Sequence, residues 1–345
     1  MSDRIRNVLS GSGGVVFLYV LPFVLLLFSL FIGRYNISPP SVITELVVSM
    51  YALLHGVQAP LSTEHTILFS VRLPRIIAAL LVGSALSIAG ASFQGVFKNP
   101  LVSPYILGVG AGAGFGACLG ILLSDNSLIV QLFAFIFGLM AMSGAILIGK
   151  VSKGTGSLVF VLAGIIIGSI FTSLTSLVKY VADPYDELPE IVFWLMGSLS
   201  TVRYGDLLWL IVPLVAGSAI LLLLRWRINI LSLGDEEAKA LGLDIEKMRL
   251  TIIVCATLVT SSAVSISGII GWVGLVVPHI ARMLVGPNYS KLLPVSLALG
   301  ASFMLLVDDI ARTIVATEIP LGIITSLLGA PLFGYLIKRG RLGWN

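Results

Sequence analysis

Apolar residues in this chain fall in long blocks separated by short polar punctuation, and the blocks predict its elements. Ten blocks read as membrane-crossing helices, over approximately 15–33, 66–92, 104–123, 128–149, 157–181, 206–225, 250–267, 273–285, 293–314 and 321–338. A helical crossing needs roughly 20 predominantly apolar residues. The block at 273–285 is short, so it is predicted to be shielded by its neighbours. The stretch from Phe193 to Leu199 is too short to cross and reads as a half-helix on the outer side. The expected fold class is all-α, a polytopic membrane protein with about ten transmembrane helices forming a single domain over 1–345.

Composition agrees. Hydrophobic residues make up 57% of the 345 and charged residues only 11%, with a mean hydropathy of +1.05. A soluble domain carries about 25% charged residues. A chain this apolar cannot cover itself with polar surface, so its solvent is lipid. The net charge of +4 is no nucleic-acid signal, because the basic residues sit between apolar blocks as topology requires.

Arg4 and Arg6 before the run Val15 to Ile32 mimic a signal peptide. The run is long, lacks a small-x-small cleavage pattern and is followed by many more spans, so it is read as the first transmembrane helix. With the N-terminus and C-terminus in the cytoplasm, fifteen Lys and Arg fall inside and six outside, the six being Arg34, Arg72, Arg75, Lys179, Arg203 and Arg312. That bias supports the orientation. Asp183, Asp186, Glu187 and Glu190 gather in one outer loop. His55 and His65 fall in the first outer loop and are expected to be solvated.

Small residues are patterned. Gly108, Gly112, Gly116 and Gly120 in the third block, and Gly164 and Gly168 in the fifth, repeat at G-x-x-x-G spacing. Such positions let helix backbones approach closely. Cys118 and Cys255 lie in separate apolar blocks and read as buried small residues, not as a disulfide or metal site.

Two apparent nucleotide motifs fail. Gly144 to Lys150 follows the P-loop pattern until Val151, which has no hydroxyl for Mg²⁺. Gly112-x-Gly114-x-x-Ala117 lies inside a membrane span. The spans hold almost no ionisable residues near their centres, which argues against a proton- or sodium-coupled carrier. No polar constellation at depth points to an intramembrane enzyme.

The polar insertion from Arg225 to Arg249 is more specific. Asp235 is placed to cap a helix with Glu236 and Glu237 in its first turn, and Gly242 suits its stop. Asp244 is placed to cap a second short helix. Ala238 and Leu241 would form a small, partly apolar face. Two readings stand here: a solvated connector, or a docking knob for a cytoplasmic partner. Arg72, Arg75 and Arg312 lie at the outer interface, where snorkelling to headgroups and docking of an acidic partner both fit.

Six segments in order carry a resemblance: RLPR at 72–75; FQGVFKNPL at 93–101, with Gly108 following; LGDEEAKALGL at 233–243; GWVGLVVPHIAR at 271–282; DIAR at 309–312; and IPLG at 319–322 leading to GAP at 329–331. From about residue 66 onward the chain resembles the permease subunits of binding-protein-dependent ABC importers for iron–siderophores, haem and cobalamin. The resemblance implies the type II ABC importer permease fold and a second permease copy, most economically an identical one. It implies two cytoplasmic ATPase subunits docking at Gly234, Asp235, Glu236, Ala238, Leu241 and Gly242. It also implies an extracytoplasmic binding protein whose acids pair with Arg72, Arg75 and Arg312. The family's cytoplasmic gate maps to Asn99, Leu101, Thr155 and Ser157. No cofactor or metal is expected on this chain, ATP and Mg²⁺ belonging to the partner ATPase. The implied cargo is a metal chelate, ferric siderophore before haem and cobalamin, with an oxyanion such as molybdate or tungstate as an alternative. Trp272 stands where the family often has Phe, and Asp308 with Asp309 doubles an acid that is often single. Neither departure is expected to touch a functional role. His279 recurs in the family whatever the substrate, so it is expected to be a hydrogen-bonded structural residue.

Overall fold

A computed structural model describes residues 12–57, 62–151, 157–315 and 317–338. Among these residues all regular structure is helical. In chain order the helices are α1 (Ser12–Phe31), α2 (Pro39–His55), α3 (Thr63–Phe97), α4 (Val109–Leu123), α5 (Ser127–Val151), α6 (Ser157–Val181), α7 (Glu187–Met196), α8 (Tyr204–Leu223), α9 (Arg225–Leu233), α10 (Asp235–Ala240), α11 (Ile245–Ser267), α12 (Val273–Val285), α13 (Tyr289–Ala311) and α14 (Leu321–Lys338). Seven helices are long and apolar enough to cross a membrane, and three shorter apolar ones, α4, α12 and α14, fall on the remaining predicted spans. The short crossing at 273–285 is shielded as expected, with nine of its residues buried.

α3 is the central strut. It packs on α8, α11, α12 and α13, and nearly every residue from Pro74 to Phe97 is buried. Lipid supplies no hydrophobic drive between helices, so close approach rests on small residues. A Cβ on Gly83 would collide with the Gly300 carbonyl of α13, and one on Gly90 with the Gly274 carbonyl of α12. The glycines of α4 act likewise: a Cβ on Gly112 or Gly116 would strike carbonyls of α5 at Phe137 and Phe133. Cys118 and Cys255 are both buried.

Three features depart from the sequence reading. First, the stretch before residue 62 contains a helix, α2. Ser38 Oγ caps it by accepting from Ser41 N at 3.2 Å, Pro39 occupies its first turn and Gly56 stops it at φ +65°. Pro at the start and Gly just past the end are the expected punctuation. Second, His65 is not solvated. It pairs with Glu45 of α2 at 3.3 Å and contacts Ser49, whereas His55 is exposed and stacks on Tyr51. Third, α4 begins at Val109, not 104. Residues 103–108 form turns, closed by Gly108 at φ +83° and pinned where the Tyr105 hydroxyl accepts from Ile270 N at 3.2 Å.

The predicted half-helix is α7, stopped by Gly197 at φ +76°, whose carbonyl accepts from Leu321 N at 2.8 Å. The bundle thus has two ends: a loop end bearing residues 225–249, and an arginine end bearing Arg72, Arg75 and Arg312.

Candidate functional site

At the loop end the chain leaves α8 and makes α9 and α10 before entering α11. Asn229 fastens α9 to the start of α13: its Nδ2 donates to Asn288 Oδ1 at 2.8 Å, and its Oδ1 accepts from Tyr289 N. α10 and its stop, Gly242 at φ +79°, lie where the sequence predicts. The helix capped by Asp244 is not short, however; it is the start of the long span α11. Asp244 accepts from Lys247 N at 3.2 Å, and its bonds to Lys247 hold its carboxyl below the usual range.

Asp235 opens α10 but does not cap it. Its carboxylate accepts from Lys98 Nζ at 2.8 Å and from Arg249 Nη2 at 3.1 Å. Charge-assisted bonds to two cations outcompete a neutral backbone cap. Partial burial pushes the Asp235 carboxyl upward, but the bonds from Lys98 and Arg249 prevail and hold it below its usual value. Of the predicted, partly apolar face, Ala238 is fully buried and Leu241 is 61% exposed. Leu233 and Glu236 are exposed beside it and Gly234 joins the two short helices. The knob therefore presents leucines and carboxylates outward on a core anchored by Ala238.

Lys98 caps the C-terminal end of α3 at φ +50°. Asn99 Oδ1 accepts from Leu101 N at 2.9 Å, so the predicted gate residues form a tight turn with Leu101 exposed. The other half of the predicted gate cannot be placed beside it: Thr155 lies outside the described residues, as does the side chain of Ser157, which opens α6. The structure thus joins Asp235 to Asn99 and Leu101 through Lys98. Sequence reasoning missed Lys98 and Arg249 as partners, since no local spacing links them.

At the arginine end all three predicted arginines are buried. Arg75 Nε donates to Asp308 Oδ1 at 2.8 Å, and its Nη1 donates to Glu318 at 2.8 Å. Arg312 Nη2 donates to Asp309 Oδ1 and to Ser29 of α1. Arg72 Nη1 donates to Leu30 O at 2.7 Å, and its Nη2 to Tyr35 O. The doubled acid is therefore not incidental: Asp308 lies between Arg75 and Arg312, and Asp309 holds Arg312 from its other side. Glu318, the outermost member, keeps 24% of its side chain exposed.

Trp272 stands at φ +69°, unusual for a bulky residue, with its indole against Phe333 and its Cβ in the space left by Gly329. His279 is buried as expected, but among the described residues neither ring nitrogen has a hydrogen-bond partner, and the ring meets Phe333 edge-on.

Comparison with known proteins gives the family. The model of the FecCD transport family matches residues 20–339. The molybdate import system permease protein MolB of Haemophilus influenzae is 42% identical over 315 residues, covering 90% of this chain and 92% of that protein. The hemin transport system permease protein HmuU of Yersinia pestis is 39% identical over 281 residues, covering 79% and 83%. A solved transporter, described as of the metal-chelate ABC type and inward-facing, superimposes with a TM-score of 0.83 at 41% identity, covering 94% of this chain and 98% of that one. With helices in the predicted places and sequence likeness over most of its length, the chain belongs to the FecCD transport family and is a multi-pass ABC importer permease.

Proposed function

We propose that this chain is one of two permease copies in a binding-protein-dependent importer of the cytoplasmic membrane, with both termini and the loop end in the cytoplasm. The observation that carries the reading is the Lys98–Asp235–Arg249 bridge. It ties the exposed α10 knob to the turn of Asn99 and Leu101 and to the span α11, so a partner that pulls on α10 moves both. Two cytoplasmic ATPase subunits seated on Gly234, Asp235, Glu236, Ala238, Leu241 and Gly242 would supply that pull. ATP and Mg²⁺ reside on those subunits; this chain holds no cofactor and hydrolyses nothing.

An extracytoplasmic binding protein docks at the arginine end. Because Arg72, Arg75 and Arg312 are already engaged, its acidic residues reach Arg75 by displacing Glu318. Thr155 and Ser157 share the gate role with Asn99 and Leu101. Specificity sits in the binding protein, since a path that held its cargo tightly would trap it.

The cargo is a metal chelate, ferric siderophore first, then haem and cobalamin. Likeness to MolB supports a second reading, a molybdate or tungstate oxyanion. Uptake into proteoliposomes holding the chain with its ATPase, tested against a panel of loaded binding proteins, decides between them. ATP-dependent accumulation of one cargo is expected. Accumulation without ATP overturns the reading in favour of an ion-coupled carrier.

A further inference from the structure

An apolar groove of about 390 Å³ opens on the side of the bundle between α1, α3, α8 and α13. Its origin is in the sequence. Pro22 of α1 and Pro294 of α13 both line it, and proline inside a helix removes a hydrogen bond and bends the rod. Ala298 and Ala301 leave the space between them unfilled. Ser84 presents no free hydroxyl there, because its Oγ donates to Leu297 O at 3.3 Å. The groove lies within membrane-crossing segments, so its occupant is a hydrocarbon.

One end of the groove is charged. Leu222 lines it, and the chain continues one turn later into Arg225, Trp226 and Arg227, all exposed. Arg225 lies close enough to the groove residue Tyr19 for its charge to act on the phenol. Trp226 is 65% exposed, and exposed Trp beside Tyr marks headgroup depth. Basic side chains at that depth between helices recognise anionic headgroups.

We infer that the groove between α1 and α13, with Arg225 at its mouth, binds one anionic phospholipid, an acyl chain inside and the phosphate on that arginine. The site does not depend on the import reading or on which face is cytoplasmic. The test is native mass spectrometry of the full chain purified in detergent and titrated with dioleoyl-phosphatidylglycerol or dioleoyl-phosphatidylcholine. Retention of the anionic lipid is expected to exceed the zwitterionic by about tenfold. R225Q, on an exposed position, should bring the two lipids to parity while retention persists. L297W, which fills the groove, should lower retention of both. Equal retention by the unmodified chain overturns the inference, as does a headgroup preference that survives R225Q or retention unchanged by L297W.

Discussion

Lys98 and Asp235 are 137 residues apart in sequence, yet their charged atoms meet at 2.8 Å. Lys98 directly precedes the turn of Asn99 and Leu101, and Asp235 opens the exposed helix α10. Two parts that the resemblance assigns to different jobs are one mechanical unit. Asp235→Asn removes the charge while keeping the shape. Uptake in proteoliposomes is expected to fall roughly tenfold, the scale of a coupling free energy between sites, with ATP hydrolysis retained. Equal loss of both activities would mean that Asp235 serves only to seat the ATPase.

The same carboxylate sets a pH response. Its pKa in the fold lies below the ordinary 3.8, so the bridge is fully formed above 3.8 and is lost as pH falls through the lower folded value. Neutral and mildly acidic conditions lie above that window. Coupling of uptake to hydrolysis is therefore expected to stay flat as the loop-end buffer is moved through the physiological range. A midpoint near neutrality would show that a different group controls the contact.

The buried pair Arg75–Asp308 and its partly exposed neighbour Glu318 should separate cleanly in stability. Asp308→Ala removes a fully buried carboxylate shared by Arg75 and Arg312, leaving Arg75 with Glu318 alone, a loss of about 3 kcal/mol. Glu318→Gln removes a partner that water can replace, worth about 1 kcal/mol or less. Thermal unfolding of the purified chain in one detergent should rank them in that order. Equal shifts would contradict the burial seen for Asp308.

What was legible in the sequence follows from range. Spans announce themselves because each buries its own backbone bonds and needs a continuous apolar run, so α1, α5 and α6 lie close to their predicted limits. α10 and Gly242 were legible because caps and stops are local. The partners of Asp235 and of the arginines were not: Asp235 looked like a cap, and its real partners come from α3 and α11. Likewise Asp308 and Asp309 looked like a harmless doubling until α3 and α1 brought Arg75 and Ser29 to them. α2 was missed although Pro39 and Gly56 punctuate it, because Ser41, Thr44, Glu45 and Ser49 interrupt its apolar run.

Glu318 also offers a test of docking that leaves the buried arginines in place. Reversing Arg72 and Arg75 would set new carboxylates among Asp308, Asp309 and Glu318, so lost docking there would report a damaged fold. Glu318→Gln instead weakens the internal competitor for Arg75 at the most exposed carboxylate of the described network. If acids of a binding protein must displace Glu318, this variant should bind its loaded partner roughly three- to tenfold more tightly. The gain should shrink as salt rises, because rim charges are screened within about 10 Å at 0.1 M. Surface plasmon resonance on the chain in nanodiscs measures both. Unchanged affinity at low salt would place the docking contacts elsewhere, on the exposed Arg34 or Arg203, and leave Arg75 as a brace between α3 and α13.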